Sequence, residues 1–257
     1  MLKKRIIPKL LLSGGRLVKY VRFLEKRREA GNPVSAAKIY NDYGVDELIL
    51  LSIDRDEGFS PDILDIVSKI SEQVFMPLTV GGGVQTEGQI AQILRAGADK
   101  VSINTQAVLD PGFIQSASRT FGNQCITVSL DYKKVGKDSR VVTRGGREVT
   151  DQGPVMFAGH MQDMGCGEIL LTSIDGDGTL AGYDLDMVRR LNEVLDVPLV
   201  VSGGCGGLSD CVGAFDAGAS GVGISSLFLF TDHSPIKLRS HLASVGVDVR
   251  SSVSSRN

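Results

Sequence analysis

The stretch Glu47-Leu-Ile-Leu-Leu-Ser-Ile-Asp-Arg-Asp56 recurs 121 positions later as Glu168-Ile-Leu-Leu-Thr-Ser-Ile-Asp-Gly-Asp177. Two further segments recur at the same offset, residues 77–83 as residues 198–204 and residues 96–101 as residues 217–222. A constant offset in separate segments indicates that one unit was duplicated. We therefore predict two similar halves, about residues 1–122 and 123–250, with a frayed tail at residues 251–257.

Short apolar runs rich in β-branched residues alternate with longer stretches of helical period, which is typical of βα units in a parallel sheet. The predicted strands are residues 5–11, 47–53, 78–81, 100–103, 124–130, 168–173, 199–202 and 221–224. Eight such strands in two equivalent halves predict a single (βα)8 TIM barrel, an α/β fold. Long insertions at residues 13–31 and 132–153 follow the first and fifth strands, whose C-terminal ends should carry the active site.

The composition narrows the class of protein. The 257 residues are 42% hydrophobic and 23% charged, which suits one large core, and the net charge of −2 gives no electrostatic case for nucleic acid as a partner. The four cysteines lack CxxC spacing, so we expect reduced core thiols, no metal site and no cofactor. Pro8 and Lys9 interrupt the apolar start, which argues against a signal peptide, and no segment has the apolar length of a membrane span. We expect a cytoplasmic protein that does not bind membranes.

Glycines and hydroxyl residues follow four of the predicted strands. Gly81-Gly-Gly83 and Gly203-Gly204 follow the third and seventh strands, whereas Asn104-Thr105 and Ser225-Ser226 follow the fourth and eighth. Glycine lets backbone N–H groups approach an anion, and hydroxyls and helix N-termini supply further donors. One such cluster alone is explained by tight βα turns. Two clusters related by the repeat predict a ligand with a phosphate at each end.

Carboxylates follow the fifth and sixth strands. Asp131 ends the fifth strand and Asp177 lies just past the sixth, where a barrel places general acids and bases. Capping of a turn or helix is the alternative explanation for both residues. Asp54 and Asp56, the first-half counterparts of Asp175 and Asp177, are expected to cap turns.

Charged residues begin four predicted strands, namely Arg5, Glu47, Lys100 and Glu168. If they point inward, they form a ring of alternating charge that closes the barrel floor. Buried ion pairs roughly break even against apolar packing, so stability alone would not require such a ring. A polar plug that can open and charges that line a solvated rim both remain possible interpretations.

Several motifs together resemble the cyclase subunit of imidazole glycerol phosphate synthase, HisF. They are Arg5-Ile-Ile-Pro8, Val80-Gly-Gly-Gly83, Ala96-Gly-Ala-Asp-Lys-Val-Ser-Ile-Asn104, Glu168-Ile-Leu-Leu-Thr-Ser173 and Asp177-Gly-Thr179, and they span essentially the whole chain. In that family a class I glutaminase docks on the N-terminal face of the barrel. Ammonia then passes through the barrel to a bisphosphorylated substrate at the C-terminal face.

The resemblance implies roles for individual residues. The charged residues at the strand starts match the family's ammonia gate, and Asp131 matches one of its two catalytic aspartates, with Asp177 as a second catalytic candidate. The residues expected to bind phosphate or substrate are Lys19, Gly82, Gly83, Asn104, Thr105, Gly178, Thr179, Ser202, Gly203, Gly204, Ser225 and Ser226.

The departures from the family pattern lie on the first two strands. The family's other catalytic aspartate ends the first strand, where this chain reads Lys9-Leu10-Leu11, and Ser52 replaces an aspartate late in the second strand. Loss of one of two carboxylates that transfer protons should slow the reaction ~10²–10⁴-fold. Strand alternation places Lys9 inside the barrel if Arg5 faces the lumen, and we predict that Lys9 lines the channel and pairs with Asp131.

This combination resembles the HisF-like paralogues of surface-polysaccharide (LPS or O-antigen) amidation. There, a glutaminase and a HisF-like barrel supply ammonia to a third protein that converts a sugar acetamido group into an acetamidino group. We therefore expect an ammonia-conducting amidotransferase subunit with a HisH-like class I glutaminase partner. The alternative is a lyase-cyclase that makes imidazole glycerol phosphate in histidine biosynthesis. A more distant one is the single-chain sugar isomerase of that pathway.

Overall fold

Strands and helices alternate along the chain in the computed structural model, which describes residues 3–54, 59–60 and 62–250. The strands are β1 (Arg5–Ser13), β2 (Arg16–Val21), β3 (Glu25–Gly31), β4 (Leu48–Ser52), β5 (Leu78–Gly81), β6 (Lys100–Ile103), β7 (Ile126–Val135), β8 (Asp138–Thr143), β9 (Glu148–Val149), β10 (Glu168–Ser173), β11 (Leu199–Ser202) and β12 (Gly221–Ile224). The predicted tail at residues 251–257 and the predicted turn cap Asp56 lie outside the described residues.

Helices follow the barrel strands and pack around them. They are α1 (Pro33–Asp42), α2 (Asp62–Ser71), α3 (Glu87–Arg95), α4 (Thr105–Leu109), α5 (Pro111–Phe121), α6 (Pro154–Asp163), α7 (Leu185–Asn192), α8 (Leu208–Asp216), α9 (Ser226–Phe230) and α10 (Pro235–Ser244). The sequence sets their starts and faces locally. In α3, for example, Thr86 and Gln89 form a capping box, and Ile90 and Ile93 are buried on one face. Within the described residues, no helix is long and apolar enough to cross a membrane.

Parallel pairing closes the sheet into a barrel. In the described part of the chain, eight strands pair in the order β1, β4, β5, β6, β7, β10, β11 and β12, and β12 pairs back with β1. The predicted (βα)8 TIM barrel is therefore confirmed. The strands β5, β6, β10, β11 and β12 have the predicted bounds, and β4 is one residue shorter at each end.

The first and fifth barrel strands are longer than predicted, because each continues into an antiparallel extension. β1 pairs with β2 and β2 with β3, while β7 pairs with β8 and β8 with β9. β7 also starts later than predicted, since Asn123–Cys125 forms a 3-10 turn. Both predicted insertions are thus ordered extensions of barrel strands at the C-terminal mouth.

The two extensions are tied to the barrel by equivalent bonds. Ile53 donates its N–H to the Leu12 carbonyl, and Ile174 donates to the Tyr132 carbonyl, both at 2.9 Å. In each half, the aspartate that comes next in the sequence accepts a hydrogen bond from a backbone N–H of the extension. The carboxylate of Asp54 accepts from the N–H of Gly14, as expected of a turn-capping residue, and Asp175 accepts from that of Lys134.

Side-chain alternation divides the core into two parts. Most buried apolar residues, such as Ile6 and Leu10, lie between the strands and the helices. A small separate cluster fills the middle of the barrel and consists of Ile7, Ile49, Leu170 and Val200, with Leu51 packed against it. Successive β1 residues therefore face opposite sides, which puts Arg5, Ile7, Lys9 and Leu11 inside the barrel.

The cysteines correct one detail of the sequence prediction. Cys166, Cys205 and Cys211 are buried, as expected for core thiols. Cys125 is only partly buried, because it belongs to the 3-10 turn that precedes β7.

Candidate functional site

The charged residues at the strand starts form a ring across the barrel floor. The guanidinium of Arg5 binds Glu47 at 2.7 Å and also binds Glu168, while the ammonium of Lys100 lies 3.0 Å from each glutamate. The side chains of Glu47 and Glu168 are only 2% and 6% exposed, so these residues do not line a solvated rim. Thr79 adds a hydrogen bond of 2.6 Å to Glu47. The ring therefore closes the N-terminal end of the barrel.

Above the ring, the barrel interior is apolar on one side and hydroxyl-lined on the other. The apolar side is the Ile7 cluster described above. On β7, Val128 and Leu130 face the helices, so Thr127, Ser129 and Asp131 share the inward face. Thr127 Oγ1 and Ser102 Oγ are buried, and neither has a hydrogen-bond partner among the described residues. Buried hydroxyls without a partner are uncommon and call for an explanation.

A cavity of about 570 Å³ lies at the C-terminal end of this interior. That volume is in the range of small-molecule sites. Its base includes Lys9, Leu11, Asp131 and Thr172, and the strand ends contribute Leu51 and Ser52. Leu11 and Ser52, which stand where the resembling family has aspartates, therefore border the cavity directly.

Lys9 extends from β1 across the barrel interior. Its side chain is buried, and Nζ lies 3.5 Å from Thr172 Oγ1 on β10. The predicted direct pair with Asp131 is wrong, since the described residues show no ion pair between them. The two groups are instead linked through Thr172, which also hydrogen-bonds the Asp131 carboxyl. Lys9 does line the interior, because strand alternation puts it on the same face as Arg5.

Burial shifts the pKa values of both Lys9 and Asp131. Desolvation lowers the pKa of the Lys9 ammonium, and the nearby carboxylates of Asp177 and Asp131 offset this only in part. Desolvation also raises the pKa of the Asp131 carboxyl to about 6, against the opposing effects of Lys9 and of hydrogen bonds from Thr172 and Ser129. Asp131 borders the cavity and is only partly buried, which limits its desolvation. The site thus combines an amine whose pKa is lowered with a carboxyl whose pKa is raised to about 6, and perturbed pairs of this kind are typical of functional sites.

Lys19 and Asp177 are locked together beside the cavity. Lys19 Nζ lies 2.8 Å from both carboxylate oxygens of Asp177, and both residues are buried. The β2–β3 extension is held over this loop, since Arg22 donates its N–H to the Asp177 carbonyl at 2.8 Å. A side chain at Gly178 would also collide with the Tyr20 carbonyl. Both residues predicted to act on substrate are therefore engaged with each other.

The first predicted anion cluster lies in the cavity wall. Gly82, Gly83, Asn104 and Thr105 all border the cavity. Asn104 Nδ2 donates to the Ser129 carbonyl at 2.9 Å, and Thr105 Oγ1 accepts from the N–H of Arg144 at 3.1 Å. The side chains are therefore positioned by hydrogen bonds within the protein, and the loop after β8 lies directly over them.

The second predicted anion cluster lies outside this cavity. Its recess measures about 10 Å³ and is lined by Asp177, Gly178, Ser202, Gly203, Gly204, Cys205, Gly223, Ser225 and Ser226. Ser225 Oγ is buried there without a hydrogen-bond partner among the described residues. The expectation of one ligand between two open clusters does not fit this conformation, because the Lys19–Asp177 pair and the β2–β3 extension occupy the space. Thr179 lines neither depression and uses its hydroxyl on the Gly176 carbonyl at 2.8 Å.

The glycines of both clusters are also required by packing. Gly82 has a φ of +123°, and a Cβ there would overlap the Ser52 carbonyl. Gly204 has a φ of +118°, and a Cβ there would overlap the Gly182 carbonyl. The tight-turn explanation therefore accounts for these glycines by itself. Anion binding would be an additional use of the backbone that they expose.

The sequence analysis missed the residues that form the cavity's outer walls. Tyr20 and Phe23 come from the β2–β3 extension, and Arg144 and Arg147 come from the loop between β8 and β9. Their segments carry no motif, and the contacts depend on how each extension folds back. The available signal was an insertion containing basic residues after the fifth strand, at the end of the barrel where sites form.

A comparison with known protein families agrees with the fold, and the match covers most of the chain. The family model described as "Histidine biosynthesis protein" matches residues 5–234. The matched region includes every strand of the barrel and ends at Ser234, which caps the N-terminus of α10.

Proposed function

The chain belongs to the histidine biosynthesis protein family, whose members are isomerases and cyclases, and we propose that it is the ammonia-conducting subunit of a glutamine-dependent amidotransferase. The observation that carries this proposal is the charged ring of Arg5, Glu47, Lys100 and Glu168, which closes the floor below a hydroxyl-lined interior. A ring of this kind adds little net stability, because desolvation of the charges offsets their attraction. A role in admitting a small polar molecule gives a reason for it.

The proposed partner is a class I glutaminase that docks on the N-terminal face. Phe75 precedes β5 at this face, and its side chain is 95% exposed. A large aromatic residue so exposed is a typical anchor of a protein interface. The segment is held in place, since Phe75 donates its N–H to Asn41 Oδ1 at 2.9 Å. Phe75 thus exposes an aromatic ring at the same end of the barrel as the charged ring, and this supports docking at that face.

The proposed acceptor lies outside histidine biosynthesis. Leu11 borders the cavity in place of a carboxylate and cannot transfer a proton, and Ser52 carries no charge. Asp131 therefore lacks the acidic partner that a two-carboxylate cyclase uses. We propose that ammonia leaves the barrel to a third protein, which converts a sugar acetamido group into an acetamidino group during surface-polysaccharide synthesis. Production of imidazole glycerol phosphate is the competing function.

A binding experiment tests the partner. Calorimetry with class I glutaminases of the same genome should yield a one-to-one complex, and Phe75→Asp should raise the dissociation constant at least about tenfold. Met156→Asp is the matched control, because Met156 is also highly exposed but lies in the first turn of α6, at the opposite end of the barrel. A monomer that binds none of these glutaminases would refute the proposal.

Isotope transfer tests the acceptor. The barrel, its glutaminase and a candidate sugar-amidating protein are incubated with an acetamido sugar and glutamine labelled with ¹⁵N in the amide. The label should appear in the acetamidino group, and omission of the barrel should abolish transfer from glutamine but not from added ammonium salts. Absence of label, together with rapid formation of imidazole glycerol phosphate by the same complex, would establish the competing function instead.

A further inference from the structure

The site contains two buried lysines, of which one pairs directly with a carboxylate and the other does not. Lys19 makes two contacts of 2.8 Å with Asp177, so its ammonium is held by a carboxylate. Lys9 has a single hydrogen bond of 3.5 Å to a hydroxyl, Thr172, and lies at the base of the open cavity. A buried amine without a carboxylate partner favours the neutral form, which carries a nucleophilic lone pair.

The surroundings of Lys9 complete a reactive arrangement. Thr172 bridges the amine and the carboxyl of Asp131, and Ser129 Oγ lies 3.4 Å from Asp131 Oδ1. A carbonyl carbon at the amine would therefore have a proton donor and acceptor beside it. Burial, which raises the pKa of Asp131 to about 6, lets that carboxyl serve in both directions near neutral pH. The Lys9 side chain is only 2% exposed, so the amine is largely shielded from bulk water.

We propose that Lys9 is a nucleophile that forms an imine with a phosphorylated aldehyde or ketone bound in the cavity. The ligand class follows from the cavity itself. Its volume of about 570 Å³ holds a small sugar phosphate, and Gly82 and Gly83 bring backbone N–H groups to a wall that also holds Arg144, whose guanidinium pairs with Glu148 at 3.0 Å. Imine formation in this cavity does not depend on whether ammonia enters through the floor.

The chemistry balances without a cofactor. The lone pair of the neutral Lys9 amine forms a C–N bond to the carbonyl carbon, while the C=O π electrons move to oxygen. That oxygen takes a proton from the Asp131 carboxyl, and the resulting carboxylate accepts a proton from the nitrogen, which gives a neutral carbinolamine and restores the carboxyl. Departure of the hydroxyl as water, with Asp131 again exchanging the proton, leaves the C=N bond. The net change is amine plus carbonyl to imine plus water.

A purely electrostatic role for Lys9 is the competing explanation. In that role its charge would hold Asp131 ionised. The geometry argues against it, because the amine contacts Thr172 and forms no direct pair with the carboxylate. Lys19, by contrast, pairs directly with the carboxylate of Asp177 in this same site.

Reductive trapping tests the imine. The intact chain is incubated with ribulose 1,5-bisphosphate, treated with sodium borohydride, and analysed by intact mass and peptide mapping. The expected result is one adduct per chain, heavier by the ligand less one oxygen atom, on the peptide that contains Lys9. Absence of an adduct at Lys9 under saturating ligand, or adducts confined to surface lysines, would overturn the proposal.

Variants and a binding measurement complete the test. Lys9→Met should abolish trapping at this peptide, whereas Lys69→Met, which removes an exposed lysine of α2, should leave it intact. Because the wild-type map decides the question, a failure of Lys9→Met to fold does not leave it open. Calorimetry with inorganic phosphate tests anion binding in the cavity separately from imine formation. Phosphate binding without trapping would retain the anion site but reject Lys9 as the nucleophile.

Discussion

Leu11 and Asp131 occupy equivalent positions in the two halves of the barrel. Leu11 pairs with Leu51 between β1 and β4, and Asp131 pairs with Thr172 between β7 and β10. Leu51 and Thr172 are separated by the same 121 positions as the sequence repeat. One half thus supplies a hydroxyl and a carboxyl to the cavity, where the other supplies methyl groups.

This asymmetry predicts how cyclase activity responds to substitution. With ammonium salts as the nitrogen source, the wild-type chain should convert the bisphosphorylated ribulosyl intermediate at a negligible rate. Leu11→Asp should raise the rate of imidazole glycerol phosphate formation, because it restores a second carboxyl group. The gain should be partial, since Lys9 and Ser52 still differ from the family pattern. Product formation by chromatography measures it.

Leu11→Asn is the matched control, because it has the shape of the aspartate but cannot transfer a proton. It should remain at the wild-type rate. Robust turnover by the unmodified chain, or full rescue of a strain lacking its histidine cyclase, would show that this is an ordinary histidine enzyme.

Removal of one partner from the buried Lys19–Asp177 pair should be strongly destabilising. Lys19→Met leaves the Asp177 carboxylate buried without its partner, so the free energy of unfolding should fall by about 3–5 kcal/mol. Lys69→Met breaks an exposed pair with Asp65 and should change it by about 0–1 kcal/mol. Urea denaturation measures both. Equal effects would mean that Asp177 finds water or another donor when Lys19 is removed.

Asp131 should make stability fall as the pH rises. Its pKa is about 6 in the folded chain, against an ordinary value of 3.8, so the unfolded chain loses this proton first. Between pH 4 and 6 the folded state therefore binds more protons, and its stability declines by at most about 3 kcal/mol. Asp131→Asn should remove this decline, as measured by urea denaturation at several pH values.

The exposed Asp65→Asn variant is the control for that titration, and it should keep the wild-type pH dependence. Parallel curves for wild type and Asp131→Asn would show that water in the cavity solvates the carboxylate fully and cancels the effect of burial.

Two glycine substitutions should have opposite effects. Gly204→Ala forces a Cβ into the Gly182 carbonyl at a φ of +118°, and it should lower the free energy of unfolding by at least about 2 kcal/mol. Gly159→Ala in α6 meets open space and should raise it by about 0.5–1 kcal/mol. Thermal denaturation distinguishes them. A neutral Gly204→Ala would mean that the second cluster rearranges easily, as an opening anion site would.

The sequence by itself determined the barrel and most of its strand positions, and it put Arg5 and Lys9 on the same face of the first strand. These features follow from the repeat and from alternation along strands, both of which are local and regular. The ring at the floor was foreseeable for the same reason, because each of its members begins a strand and the strand starts converge at one end.

Only the tertiary structure decided which groups meet at the mouth. Lys9 on β1 contacts Thr172, which is 163 positions away in the sequence. Lys19 contacts Asp177, which is 158 positions away, because the β2–β3 extension docks there, and no local pattern specifies that docking. The same docking separates the second anion cluster from the main cavity. Long-range contacts between an irregular insertion and a loop depend on shape and burial over the whole mouth. Residue spacing along the chain therefore predicted part of the site, but neither its outer walls (Tyr20, Phe23, Arg144 and Arg147) nor how its residues pair.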